Sequence, residues 1–209
     1  MAARVGLLGG TFDPVHVGHL VLAEQCREQA ELDEVWFVLA GAPPHKGGKA
    51  IALAKHRLEM LKIAVSGTPW FSICEIELDR DGPSYTVDTL EQLKSRHPEH
   101  EFRLLVGADM LADFPNWREP ARIASMCRLV AVNRGRDLDS VRALARQLTQ
   151  NLAADIQVIE MPAIDVSATD IRERVSQGRS IRFLTPRGVE MYIAAQGLYA
   201  ASQPSTDAT

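Results

Sequence analysis

The sequence predicts an α/β fold, a doubly wound parallel sheet with helices on both faces. Three observations carry that prediction. Short apolar runs of strand length alternate with stretches of helical spacing along almost the whole 209 residues. The runs are continuous, as in parallel strands buried on both faces. The segments between them are long enough for right-handed crossovers. With 46% hydrophobic residues, 24% charged residues and no shift of composition, the chain suits one domain with a sizeable core. That domain is placed at residues 1–199, followed by a small, polar, disordered tail at 200–209.

Taken in order, the first strand is expected over 3–8, and it runs into two glycines, Gly9 and Gly10. A helix over 18–30 leads to a second strand over 34–39. A helix over 55–65 and a strand over 71–76 follow, then a helix over 87–96 and a strand over 102–106. The last strands, over 128–132 and 156–159, are each preceded by a helix, over 121–126 and 138–150. Two further helices, over 168–177 and 186–196, close the domain. The periods that separate these elements are the continuous apolar run and the 3.6-residue spacing.

Composition excludes several functions. Lys and Arg number 23 and Asp and Glu 27, a net charge of −4, and the pI is near 5.9. Such a chain has no basic surplus to hold a polyanion, so nucleic-acid binding is not its main task. Mean hydropathy is −0.09, and no apolar run approaches the roughly 18 residues of a membrane span. Residues 1–10 lack a signal peptide's cleavage pattern. Cys26, Cys74 and Cys127 are odd in number and scattered, which reads as reduced thiols in a cytoplasmic protein and not as a disulfide frame or zinc site.

Open parallel sheets bind ligands beyond the carboxyl ends of their strands, at the switch point in strand order. The segment after the first strand reads Gly9-Gly10-Thr11-Phe12-Asp13-Pro14-Val15-His16-Val17-Gly18-His19. Glycines allow a sharp turn and close approach of a ligand. His16 and His19 flank Gly18 at the start of a helix, whose unpaired N–H groups favour an anion. The segment is neither a Walker loop nor a dinucleotide G-x-G-x-x-G. Two imidazoles three residues apart can instead offer N–H donors to one phosphate. A metal pair, or two surface histidines, is the plainer reading of the same residues. The coincidence of Gly-Gly, Asp-Pro and His-x-Gly-His directly after the first strand argues against it.

A second motif, Val166-Ser167-Ala168-Thr169-Asp170-Ile171-Arg172, has the capping-box pattern that starts a helix. Thr169 adds a hydroxyl near that helix's anion site and Arg172 a guanidinium. An ordinary capped helix accounts for Ser167 and Asp170 but less well for Arg172 or for the pairing with the His-x-Gly-His motif. Other strand ends carry Pro43-Pro44-His45-Lys46, Gly82 to Thr89, Gly107-Ala108-Asp109, Phe114-Pro115-Asn116-Trp117 and Asn133-Arg134. Each has a plain reading too: Lys46 as a solvated lysine, Trp117 as core packing, Thr86, Asp88 and Thr89 as cap residues. Cys74 and Cys127 read as small core residues. His45, His56, His97 and His100 need no special role.

The two long-separated motifs together resemble the nucleotidyltransferase superfamily that shares the His-x-Gly-His signature with class I aminoacyl-tRNA synthetases. Within it the sequence is similar to the bacterial nicotinate-nucleotide adenylyltransferases, over residues 3–199. A synthetase is disfavoured by acidity, by the missing Lys-Met-Ser-Lys-Ser motif and by the lack of room for a tRNA-binding domain. The resemblance implies a Rossmann-like nucleotidyltransferase domain that joins ATP to nicotinate mononucleotide, giving nicotinate adenine dinucleotide and pyrophosphate. It implies catalytic roles for His16, His19, Lys46 and Arg134. It implies ATP binding by Gly9, Gly10, Thr11, Phe12, His16, Gly18, His19, Gly107, Asp109, Ser167, Thr169 and Arg172. It implies acceptor binding by Lys46, Tyr85, Thr86, Asp109 and Trp117, with Trp117 stacked on the pyridine ring and backbone N–H groups facing its carboxylate. Mg²⁺ is expected to arrive with ATP, with no protein metal site. No oligomeric state is implied, and Gly41, Ala42 and Arg118 receive no role. Two alternatives remain: an adenylyltransferase for another acceptor such as phosphopantetheine, which would lack the Tyr85-Thr86 and Trp117 segments, and a non-catalytic nucleotide sensor.

Overall fold

A computed structural model describes residues 2–41, 52–80, 82–135 and 137–201. The six apolar runs form one all-parallel sheet from β1 (Arg4–Gly10), β2 (Glu34–Leu39), β3 (Phe71–Cys74), β4 (Glu101–Gly107), β5 (Arg128–Asn133) and β6 (Ile156–Glu160), in the order β3-β2-β1-β4-β5-β6. The runs are continuous because side chains alternate between two covered faces. In β4, Phe102, Leu104 and Val106 point to one core and Leu105 to the other; in β5, Leu129 and Ala131 oppose Val130 and Val132. Each large side chain fully buried in this way contributes about 1.5–3 kcal/mol.

The helices divide between those faces. α1 (Val17–Gln29) and α2 (Ala54–Val65) cover one core through Leu22, Ala23, Met60 and Leu61. α3 (Thr86–Arg96), α4 (Ala108–Asp113), α5 (Pro120–Met126) and α6 (Leu138–Leu152) cover the other through Leu90, Leu93, Leu111, Ile123 and Leu148. α7 (Ala168–Ser176) and α8 (Arg187–Ala195) return to the first face with Ile171, Val189 and Ile193. The fold is therefore the doubly wound, Rossmann-like one expected. The direction of winding reverses between β1 and β4, so the crevice of the sheet opens there, above Gly9, Gly10 and Gly107.

Two differences from the sequence expectation bear on the site. β1 runs on through Gly10 instead of ending at residue 8, which carries strand geometry right up to the turn. Between β4 and α5 the chain forms α4 and a 3-10 turn at Phe114–Asn116 where no helix was expected. Six helical residues with only Ala108 and Leu111 buried are too few to display a 3.6-residue period. Arg103 interrupts the apolar run of β4 near its start; its two terminal nitrogens donate to Ala30 O and Glu101 Oε1, both at 3.2 Å. Of the expected tail, only residues 200 and 201 are described. Cys26 and Cys127 are buried and Cys74 half-buried, all as free thiols.

Candidate active site

The strand ends fold into a loop because of what its side chains pack on. A Cβ on Gly10 would lie 2.8 Å from the Phe12 ring, so only glycine lets that ring close over the strand. Phe12 itself sits at φ +48°, with its ring tilted against Phe37 and edge-on to His19 at 5.0 Å. It is buried, so its side chain supports the loop from beneath. At Gly9 and Gly107, by contrast, a Cβ would meet nothing within 4 Å. Those two glycines face open space on either side of the switch point.

His16 is the N-cap of α1, buried, and stacked on His19 with ring centroids 3.7 Å apart. A Cβ on Gly18 would press to 3.1 Å of His16 Nδ1, which explains the glycine between the two histidines. The His16 backbone N–H donates to His19 Nδ1 at 3.2 Å. A nitrogen that accepts in this way carries no proton in the neutral ring, so His19 holds its proton on Nε2. Burial and the nearby positive charge of Arg134 lower the His16 pKa to about 4. His16 is therefore a neutral imidazole at neutral pH, and its buried Nδ1 has no hydrogen-bond partner among the described residues. Arg134 is exposed just past β5.

The two sequence motifs meet here. Arg172 donates to the backbone carbonyl of Asp13 at 2.7 Å, across 159 residues of sequence, and to Thr169 Oγ1 at 3.2 Å. Its Nη1 is also 3.9 Å from the Asp13 carboxylate. Ser167 caps α7 by accepting from Asp170 N at 3.1 Å. Arg172 thus braces the loop that carries the histidines.

Three further residues complete this brace, of which Tyr199 and Arg57 carried no signal in the sequence and Asp13 only its place in the motif. Asp13 is only 2% exposed; its Oδ1 accepts from Tyr199 Oη at 2.6 Å and from Ala52 N at 3.3 Å. Burial and the Asp13 carboxylate push the Tyr199 hydroxyl's pKa far up, so it stays a donor. Arg57 is 3% exposed and donates to the carbonyls of Thr11, Ala40, Gly41 and Ala52 at 2.7–3.2 Å. It stitches the end of β1 to the end of β2. An arginine in an amphipathic helix reads as a surface residue, and only the tertiary fold brings those carbonyls to it.

Beside this loop lies a cavity of about 690 Å³ at the start of α3 and along α4. It brings together Tyr85, Thr86, Asp109 and Trp117, all expected to bind the acceptor. Tyr85 is the N-cap of α3 and Thr86 its first residue. Trp117 ends the 3-10 turn and packs edge-on to Phe114, with centroids 5.5 Å apart. Arg118, which the sequence left without a role, lines the same cavity with its guanidinium 4.7 Å from the Tyr85 ring centroid. Ser84 Oγ is buried there with no partner among the described residues. Lys46 and the Pro43-Pro44-His45 segment lie outside the described residues.

Comparison with known proteins agrees with this architecture. Residues 7–174 match the cytidylyltransferase-like family. The chain is 46% identical over 198 residues to a protein of Roseiflexus sp. named probable nicotinate-nucleotide adenylyltransferase, covering 95% of this chain and 98% of that one. A protein of the same name from Thermomicrobium roseum is 44% identical over 199 residues, covering 94% and 92%. In fold, the chain matches the nicotinic acid mononucleotide adenylyltransferase of Plasmodium falciparum, solved in complex with NaAD, at a TM-score of 0.74 and 19% identity, covering 94% of this chain and 97% of that one.

Proposed function

The chain belongs to the cytidylyltransferase-like family and, within it, to the nicotinate-nucleotide adenylyltransferases, and from that premise we propose how its residues share the work. The enzyme transfers the adenylyl group of ATP to nicotinate mononucleotide, giving nicotinate adenine dinucleotide and pyrophosphate, a step of NAD biosynthesis. The acceptor's phosphate oxygen forms the new bond to the α-phosphorus as the bond to the β-phosphate oxygen breaks, in line. A phosphate monoester's second pKa is near ~6, so the nucleophile is already dianionic at neutral pH and needs no general base. What remains for the protein is positioning and charge stabilisation.

The neutral state of His16 suits that division, because an imidazole held at a pKa of about 4 donates without giving up a proton. His19, with its proton on Nε2, offers the donor that meets charge developing at the α-phosphate. Arg134 and Lys46 neutralise the phosphates of substrate and leaving group. Gly9 and Gly107, where a side chain would protrude into open space, let the nucleotide approach the strand ends. Thr11 and Gly10 hold that loop's shape, and Ser167 and Thr169 present α7 to the triphosphate. Arg172 acts there too, while it braces Asp13. Magnesium is expected to enter with ATP, held by phosphate oxygens and water. Among the described residues, the group spaced to grip a metal is His97, Glu99 and His100. It lies before β4, at the opposite end of the strands, and its imidazoles suit transition metals more than magnesium. No helix of the described residues is long and apolar enough to cross a membrane, and with three free thiols we assign the reaction to the cytoplasm.

The observation that carries the acceptor assignment is the cavity in which Tyr85, Thr86, Asp109 and Trp117 meet. Its test is direct. Protein, ATP and Mg²⁺ are incubated with nicotinate mononucleotide, nicotinamide mononucleotide or phosphopantetheine, and pyrophosphate and the adenylylated product are measured. Turnover of the nicotinate form supports the assignment. Phosphopantetheine as the better acceptor, or ATP binding without turnover of any acceptor, would refute it.

A further inference from the structure

Nicotinate and nicotinamide mononucleotide are nearly the same shape, so an enzyme must tell them apart by charge and hydrogen-bond polarity. Backbone N–H groups at the start of α3 supply polarity. They do not supply a full charge. Among the described residues lining the cavity, Asp109 and Asp113 are carboxylates and Arg118 is the one cation.

Arg118 is placed to act on whatever the cavity holds. It follows Trp117 directly, on one wall, and its guanidinium lies over the ring of Tyr85, on the other. It therefore spans the two segments between which a pyridine ring would stack. Its own partners are weak: Nη1 is 3.7 Å from Asp88 and Nε 3.8 Å from Glu119, both beyond hydrogen-bonding distance, and the side chain is 51% exposed. Such solvated pairs contribute little. Neither carboxylate depends on it. Glu119 accepts from Arg122 at 3.0 Å, and Asp88 lies in the first turn of α3, where the helix end favours a negative charge. The aromatic face of Tyr85 attracts the guanidinium, 4.7 Å from its centroid, without consuming its N–H donors. A planar, pre-positioned fork with exchangeable partners is well suited to a carboxylate, which it meets with two parallel bonds.

We propose that Arg118 is a specificity-determining residue that reads the ring carboxylate of the acceptor and so favours the acid over the amide. The inference rests on the reaction given above. The test measures steady-state kinetics with each mononucleotide in turn, for the wild type, Arg118→Gln and Arg118→Lys. A hydrogen-bonded charge pair of this kind is worth about 10- to 100-fold. Arg118→Gln should therefore lower kcat/KM for nicotinate mononucleotide by that factor, chiefly through KM. It should leave the amide acceptor and the KM for ATP within about twofold, the scatter of a removed surface contact. Arg118→Lys, which keeps the charge and loses the fork, should fall between. If acid and amide decline in parallel, the guanidinium acts on the shared phosphate or merely supports Tyr85, and the proposal is wrong. An unchanged acid-to-amide ratio also overturns it. Calorimetric binding of nicotinate mononucleotide without ATP separates this inference from the reaction itself. A wild type that binds the acid and a variant that does not would uphold Arg118 even in an enzyme that fails to turn over; equal binding, or none by either protein, would overturn it.

Discussion

The loop that carries the histidines and the cavity beside it share the strand ends but are built in opposite ways. In the loop, Asp13 and Arg57 are almost wholly buried; the Tyr199 hydroxyl donates to the Asp13 carboxylate, and the Arg57 guanidinium donates to the backbone carbonyls of both strand ends, all in short bonds. In the cavity, Arg118 and Met110 are about half exposed, and Arg118 has ion pairs no shorter than 3.7 Å. The chemistry at phosphorus is the same for every acceptor, so its donors gain from being fixed beforehand. Choosing an acceptor needs groups that can exchange one partner for another. Rigidity and adjustability are thus allotted to neighbouring regions, and four measurements test the allotment.

The largest effect should come from the hub of the rigid region. Asp13→Ala strands Tyr199 Oη and weakens the hold on Arg57 and Arg172, and breaking a buried charged network costs about 3–5 kcal/mol. Chemical denaturation should show that loss; a change under about 1 kcal/mol, typical of surface sites, would mean the hub is not rigid.

Next is the pH dependence of stability. The His16 pKa falls from 6.5 in the unfolded chain to about 4 in the fold, so the unfolded state binds the extra proton first. The neutral-ring stability is fully present above about pH 6.5 and is lost progressively as pH falls toward 4, by up to about 3 kcal/mol. His16→Gln should flatten that part of the profile. An equally steep profile in the variant would assign the slope elsewhere.

His19→Ala should lower kcat at least ~10²-fold, as loss of a fixed donor does, with a smaller change in KM for ATP. The reverse pattern, with KM raised and kcat intact, would make His19 a binding residue only. The smallest effect belongs to the adjustable region. Trp117→Ala should weaken both acceptors alike by about 1–3 kcal/mol of stacking, the range seen for bases on aromatic side chains. Selective loss of one acceptor would move discrimination from Arg118 to Trp117.

Much of this was legible in the chain. The six strands announced themselves because parallel strands are apolar on both faces, and the strand-end motifs mark where a chain must turn around a ligand. Short or solitary features were not legible. α4 is too brief to show periodicity. Phe12 is expected at the ATP from its place in the motif, and no pattern in the sequence shows that its side chain is buried against Phe37 and His19. Arg57, Tyr199 and Arg118 are single residues whose meaning comes from partners the fold supplies: Arg57 bonds to Thr11 O across 46 positions and to Ala40 O across 17. No local pattern encodes such a meeting.

The bond from Tyr199 to Asp13 has a consequence for how each molecule comes into being. Its two ends are 186 residues apart. At ~5–20 residues per second, a ribosome takes roughly 10 to 40 s to make the chain between them. Through that interval the emerging loop already carries both histidines, but the hydroxyl that latches it has not been made. A newly made molecule therefore fixes its histidine loop only when the end of the domain leaves the exit tunnel, so a chain cut short before residue 199 would carry the motif without the latch.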